Sequence, residues 1–184
     1  MATAKPSYAG ATGTPFTITL LSKGSGVAQQ STFINNQSAN LWLDALISGL
    51  TTVGSAAAVG DSYLLAAGYD GNNFPFGGAA NLGATDAVVT ANGFITTDKL
   101  APLQYGQPVP GTSLFFLARI PTGNIAATTA IGFGQYGLSQ CFQMGGLALP
   151  TQFAVVFVNG QGQAHDATGA HFAVYYNGIQ QTIA

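Results

Sequence analysis

Residues 153–160 read Phe153-Ala154-Val155-Val156-Phe157-Val158-Asn159-Gly160, and this octet decides the fold class. A continuous run of β-branched, aromatic and small apolar residues, bounded by a turn dipeptide, reads as a strand of about 4–8 residues. Asn159-Gly160 is the pair that a type I′ turn favours, so a hairpin is expected there. The next strand is expected over His171–Tyr176, closed by Asn177-Gly178, with a short terminal strand over Ile179–Ala184.

The same grammar extends toward the amino terminus. Leu114–Ile120 is a strong strand, and Gly123–Thr129 a loop of small residues. Gly132–Gly137 interleaves Phe133 and Tyr136 with glycines. The stretch 98–113, with Pro102, Pro108 and Pro110, reads as a long connection or edge segment. Ser62–Tyr69 reads as a buried strand ended by Asp70-Gly71-Asn72-Asn73, and a hairpin is expected at Asn92-Gly93. Asn40–Leu50 fits both periods: Leu43, Leu46, Ile47 and Leu50 suit a helix, whereas Leu41, Leu43, Ala45 and Ile47 alternate. Its shortness and flanking turns favour a strand. Phe16-Thr17-Ile18-Thr19-Leu20 alternates as a half-buried strand does, and Val27–Ile34 holds a further short one. Met1–Pro15, with Pro6, Gly10, Gly13 and Pro15, shows no period and reads as an extended arm. About eight to ten short strands at such spacing point to an all-β sandwich. The expected fold is thus a single antiparallel β-sandwich domain, jelly-roll-like, over residues 16–184, preceded by an extended N-terminal arm over residues 1–15.

Composition narrows the function. Of 184 residues only ten are charged, four basic and six acidic, or 5%, against roughly 25% in an ordinary domain. All six acids are Asp; 19 Thr, 13 Gln, 10 Ser and 10 Asn carry the polarity instead. Four scattered cations cannot form a phosphate-binding footprint, so no nucleic-acid partner is expected. At 47% apolar the chain is not a disordered tail, and without Glu it is no coiled coil. No apolar run approaches the ~20 residues of a membrane span, and no secretory signal is visible, so synthesis and folding in a cytoplasm, with no membrane partner, are expected.

Catalytic material is scarce. His165, Asp166 and His171 form the one local cluster. It could orient a base or hold a metal, but its six-residue histidine spacing matches no common zinc pattern, and Asp in Ala164-His165-Asp166-Ala167-Thr168-Gly169 suits turn chemistry. Cys141, the single cysteine, reads as a small buried hydrophobe. Gly77-Gly78 and Gly145-Gly146 lack the Lys-Ser/Thr of a phosphate loop. No catalytic residue, metal or cofactor is expected. The aromatics divide: Trp42, Phe115, Phe116, Phe153 and Phe157 lie in expected strands and belong to the core. Phe74 and Phe76 in a Pro/Gly loop, Tyr8 in the arm and Tyr105 in the 98–113 stretch are candidate interface residues, because interfaces favour aromatics and disfavour charge.

Two stretches carry a family resemblance. Ala28-Gln29-Gln30-Ser31-Thr32, followed by Asn35-Asn36-Gln37-Ser38-Ala39-Asn40-Leu41-Trp42-Leu43-Asp44-Ala45-Leu46, is similar to the opening of a group of small structural proteins of tailed-bacteriophage virions. Gly145-Gly146-Leu147-Ala148-Leu149-Pro150, with Phe153–Asn159, Gly169-Ala170-His171 and Tyr175-Tyr176, resembles their closing pattern, with Phe153 where the family has Trp. The matches cover about a third of the chain, in order and near both ends. The resemblance implies a β-sandwich virion component of the capsid decoration or auxiliary type, bound to the head surface through the major capsid protein or other virion proteins. A homo-oligomer with no catalytic residues is expected. A receptor-binding β-domain of a tail or tail fibre, recognising host glycan, is the alternative.

Overall fold

The computed structural model describes residues 4–8, 13–16, 18, 28–36, 42–69, 97–110, 114–142, 149–165 and 172–183. These form an all-β protein of two five-stranded antiparallel sheets. The strands are β1 (Ala4–Tyr8), β2 (Thr14–Pro15), β3 (Ala28–Gln30), β4 (Ile34–Asn35), β5 (Asp44–Thr52), β6 (Ser62–Tyr69), β7 (Phe115–Ile120), β8 (Ala130–Gly137), β9 (Gln152–Val158) and β10 (Phe172–Ile183). Two single-turn helices, α1 (Thr97–Leu100) and α2 (Leu138–Cys141), lie between them. The first sheet runs β1-β10-β5-β8, with β2 also on β10; the second runs β3-β9-β6-β7, with β4 also on β9. Each sheet therefore has a central strand whose outer edge is lined by two short pieces. In the first, β1 pairs with Ile179–Ile183 and β2 with Tyr175-Tyr176. In the second, β3 pairs with Val156–Val158 and β4 with Gln152-Phe153.

The sheets pack face to face. Ala45 and Ile47 of β5, with Phe172, Val174 and Tyr176 of β10, meet Leu64 and Ala66 of β6, Leu117 of β7, and Phe153, Val155 and Phe157 of β9. Complete burial of each such Phe or Val removes apolar surface worth about 1.5–3 kcal/mol. The far face of the second sheet is buried as well: Tyr63, Leu65, Ala67, Ala154, Val156 and Val158 pack under Leu100, Val109 and Leu114. Both faces of β9 are thus dry, and this is why its sequence shows no polar alternation. β10, covered on one face, does alternate: Phe172, Val174 and Tyr176 are buried, and Tyr175 is 37% exposed.

Several expectations are met closely. β6 spans Ser62–Tyr69, β7 and β9 fall on their apolar runs, and the ambiguous Asn40–Leu50 segment is a strand from Asp44 onward. Others are corrected. Asn159-Gly160 does not turn a hairpin, because β9 and β10 belong to different sheets. The Asn159 carboxamide instead shapes a local loop: its oxygen accepts the Gln161 N–H at 3.0 Å and its nitrogen donates to the Gln163 carbonyl at 2.8 Å. Asn177-Gly178 does not end a strand, since β10 runs through it with Asn177 opposite Leu46 and Gly178 opposite Ala45. Glycine is needed there because the Trp42 indole lies on the backbone; a Cβ on Gly178 would sit 2.4 Å from the ring. Trp42 is held in turn by Asn36, whose side chain accepts its N–H at 3.0 Å and donates to its carbonyl at 3.2 Å. The glycine-interleaved stretch is the strand β8, and α2 follows it without a sequence signal. Within the segment read as an arm, β1 and β2 line the edge of β10, and Phe16 continues this contact by donating its N–H to Val174 O at 2.8 Å. Of the Phe16–Leu20 strand only Phe16 and Ile18 are described, neither in a strand, and the 92–93 hairpin lies outside the described residues.

Candidate functional site

Charge is rare in this chain, so the place where it gathers stands out. Asp61 precedes β6, and Arg119 lies on β7 opposite Tyr63 in the antiparallel register. Strand pairing therefore brings together two residues far apart in sequence. Arg119 donates from Nε and Nη2 to Asp61 Oδ2, and Asp61 Oδ1 accepts the Gly123 N–H at 2.9 Å. The Arg119 side chain is 58% exposed and that of Asp61 10%, so the pair presents its cationic partner to solvent. Asp98, in the first turn of α1, adds a second carboxylate to the same cleft. The cleft encloses about 500 Å³ and is lined also by Val59, Thr97, Pro121 and Asn124. Below it, burial pushes the Tyr63 phenol above its ordinary pKa, and Arg119 partly opposes that shift.

The cleft floor is built tightly. Thr122 Oγ1 donates to Gly60 O at 2.7 Å and accepts the Ser62 N–H at 3.0 Å. Gly60 and Gly160 cross there backbone to backbone: a Cβ on Gly160 would come 1.7 Å from Asp61 O, and one on Gly60 would come 2.5 Å from Gly160 O. Beside this crossing, the 159–165 loop is stitched to the end of β5. Gln161 Oε1 accepts the Gly54 N–H at 3.1 Å, and Gln163 Oε1 accepts the Ala56 N–H at 2.8 Å. With a fixed floor, exposed cationic and anionic groups and an amide at the rim, the cleft can bind polar groups by hydrogen bonding.

Of the residues singled out from sequence, the described ones, His165, Cys141, Tyr105 and Tyr8, do not line this cleft. His165 is 2% exposed. Its Nε2 lies 2.8 Å from Thr51 Oγ1, and its ring stands edge-on to Phe157 and Phe172 at 5.9 and 5.4 Å. It is a core residue joining the sheets, while Asp166 and His171 lie outside the described residues. Among the described residues no group of three His, Cys, Asp or Glu could hold a metal ion. Cys141 is fully buried; its Sγ lies 3.4 Å from Phe116 O, and burial raises its thiol pKa to about 12. A thiol so unwilling to ionise is a poor nucleophile. Tyr105, a candidate interface residue, is 39% exposed, yet its hydroxyl donates to Gly137 O and burial raises its pKa to about 12. Tyr8 lies at the end of β1, opposite Ile179. Phe74 and Phe76 lie outside the described residues. Asp61 and Arg119 escaped sequence reading because they form no motif; only the scarcity of charge could have drawn attention to them.

No family model matches the chain, and no match was found among curated proteins or solved structures.

Proposed function

We propose that this chain is a non-enzymatic virion structural protein, a decoration or auxiliary protein that binds the outside of a phage head, built as a jelly roll. The strand order is the observation that carries the reading. Taking β1 with β2, and β3 with β4, as two broken edge strands, the first and last strands are neighbours, then the second and second-last, and so on inward to β6 beside β7. That order supports the jelly-roll reading, in which one long hairpin is rolled into two facing sheets, a winding that recurs in viral capsid and lectin domains. Fold alone does not assign function; the resemblance of the Ala28–Leu46 and Gly145–Tyr176 stretches to phage virion proteins supplies the rest.

The mechanism is surface complementarity repeated over a lattice. Interfaces poor in charge avoid the desolvation cost of buried ions, and many copies held on one symmetric shell turn weak single contacts into firm attachment. Major capsid protein or other virion proteins are the partners, and the assembled virion is the location. The protein mixed with purified heads lacking it should co-sediment and saturate at a ratio fixed by the lattice. Failure to bind heads at any ratio would remove the reading.

The receptor-binding alternative is favoured by a different observation, the cleft with Asp61, Asp98, Arg119 and Asn124. Carboxylates, a guanidinium and an amide around a rigid floor suit the hydroxyls of a sugar. Retention of host-surface glycans by the protein, lost in Asp98→Ala, would favour it over head binding.

A further inference from the structure

We propose that the free edge of β8 is a homotypic docking site, where β8 of a second copy pairs antiparallel across a two-fold axis and joins the two first sheets. The sandwich has four edges, and among the described residues three are guarded or covered. The first sheet ends in β1, five residues that include Lys5 and Pro6, and in the two-residue β2 with Pro15; the second ends in β3 and β4, of three and two residues. The edge of β7 is met by the 106–109 segment: Gly106 donates to Phe116 O and Phe116 to Gln107 O, both at 2.8 Å, and Pro108 bridges Phe115. β8 is different. It pairs with β5 on one side; on the other, among the described residues, the Tyr105 hydroxyl reaches only its last carbonyl, Gly137 O.

An open edge is a template for another strand, and proteins commonly guard it with Lys, Pro, inward charge or extreme shortness. β8 has eight residues, none charged and none proline. It is irregular where the register shifts opposite Ile47 and Ser48 and at Gly134, whose φ is +120°, which leaves Ala130–Phe133 regular. This stretch also identifies the occupant. Pairing centred on Gly132 sets Ile131 of one copy against Phe133 of the other, twice, by symmetry. Aromatic against β-branched is a favourable cross-strand pair, and both side chains are partly buried at the rim of the core. The remaining positions oppose Ala130 to Gly134 and Gly132 to itself, so neither like charges nor bulky groups collide. A two-fold interface must be self-complementary, and this strand meets that condition.

A dimer that ignores phage heads would sink the virion reading and leave the β8 pairing standing, so the two are separable. The test is sedimentation of the full chain over a concentration series, beside Gly132→Lys. A Cβ on Gly132 meets nothing closer than 4.0 Å, so the variant should fold, with an unchanged circular dichroism spectrum. Two lysines facing each other at the axis should raise the dimer dissociation constant by at least about tenfold. A second variant, Gly132→Cys with Cys141→Ala, should form a disulfide-linked dimer on mild oxidation, because residue 132 faces its own copy. A wild-type chain that is monomeric at every soluble concentration would overturn the proposal. So would a dimer whose affinity Gly132→Lys leaves unchanged and which the Gly132→Cys variant does not cross-link.

Discussion

The two sheets are made from the same chain and the same alphabet, yet they solve different problems. The second is covered on both faces, by the first sheet on one side and by Leu100, Val109 and Leu114 on the other. Its central strand β9 is accordingly apolar at every position from Phe153 to Val158, all buried. The first sheet is covered on one face, and β10 alternates buried Val174 and Tyr176 with exposed Tyr175. Its far rim, β8, is uncharged and unpaired on its outer side among the described residues. The second sheet is thus the packed body of the molecule, and the first keeps the exposed Tyr175 on its far face and the open β8 rim among the described residues. A local run of residues encodes this difference before any long-range contact is known, because burial on two faces removes the polar member of each alternating pair.

The comparison can be broken most forcefully at equivalent outward positions of the two central strands. Val156 of β9 is fully buried on the far face of its sheet, whereas Tyr175 of β10 is partly exposed on the far face of the other. Val156→Lys should bury an unpaired charge and cost more than about 4 kcal/mol, a large share of a typical stability of about 5–15 kcal/mol. Tyr175→Lys should cost about 1 kcal/mol or less. Urea titrations followed by circular dichroism would measure both, and equal losses would end the distinction between the sheets. The next largest effect lies between the sheets: Phe157→Ala, at a fully buried position against Phe172, should cost about 3–5 kcal/mol through lost burial and the cavity left behind.

A smaller effect probes the correction at Asn177-Gly178. Gly178→Ala places a methyl against the Trp42 ring, and overpacking of this kind costs about 1–3 kcal/mol. Trp42 is the single tryptophan of the chain, so its displacement should also appear as a red shift in fluorescence. An unshifted spectrum with unchanged stability would mean that the indole does not rest on that backbone.

These positions also mark how far the sequence was legible. Strands whose faces are both dry, such as β6 and β9, could be read nearly to the residue because burial and β-propensity agree there. The two described Asn-Gly pairs, at 159–160 and 177–178, misled because a turn dipeptide reports local backbone preference, while the structure used one for a loop between sheets and the other to admit an indole. β8 was obscured by glycines, which carry little strand propensity yet form its exposed edge. The candidate cleft was hidden for another reason: Asp61 and Arg119 meet only through the β6–β7 register, and pairing partners are not written in either strand alone. His165 was visible as a residue but not as a core contact, since its partners Thr51, Phe157 and Phe172 come from both sheets.

The smallest effect tests the seam where the first sheet hands the chain to the second. α2 connects β8 to β9, and its Cys141 lies against Phe116 of β7. Burial raises this thiol from an ordinary pKa of 9.0 to about 12, opposed in part by the backbone of Gly106. Below pH 9 the thiol is protonated in both folded and unfolded chains, and its contribution to stability is fully present. Between pH 9 and 12 the unfolded chain releases a proton that the folded one retains, so stability falls by about 1.4 kcal/mol per pH unit for this group. Tyr63, Tyr105 and Tyr176 are also raised by burial, but their ordinary value of 10.0 delays their effect. The tyrosines act alike in wild type and in Cys141→Ala, so the difference between the two slopes from pH 8.5 to 10 isolates the cysteine, with an extra loss of about 1 kcal/mol in wild type. Cys141→Ala should lower stability at all pH values through its cavity yet flatten the slope in that interval. Chemical denaturation at several pH values would reveal the slope independently of the offset. An equal slope in both proteins would mean that the thiol ionises as readily folded as unfolded, and that water reaches the seam between the sheets.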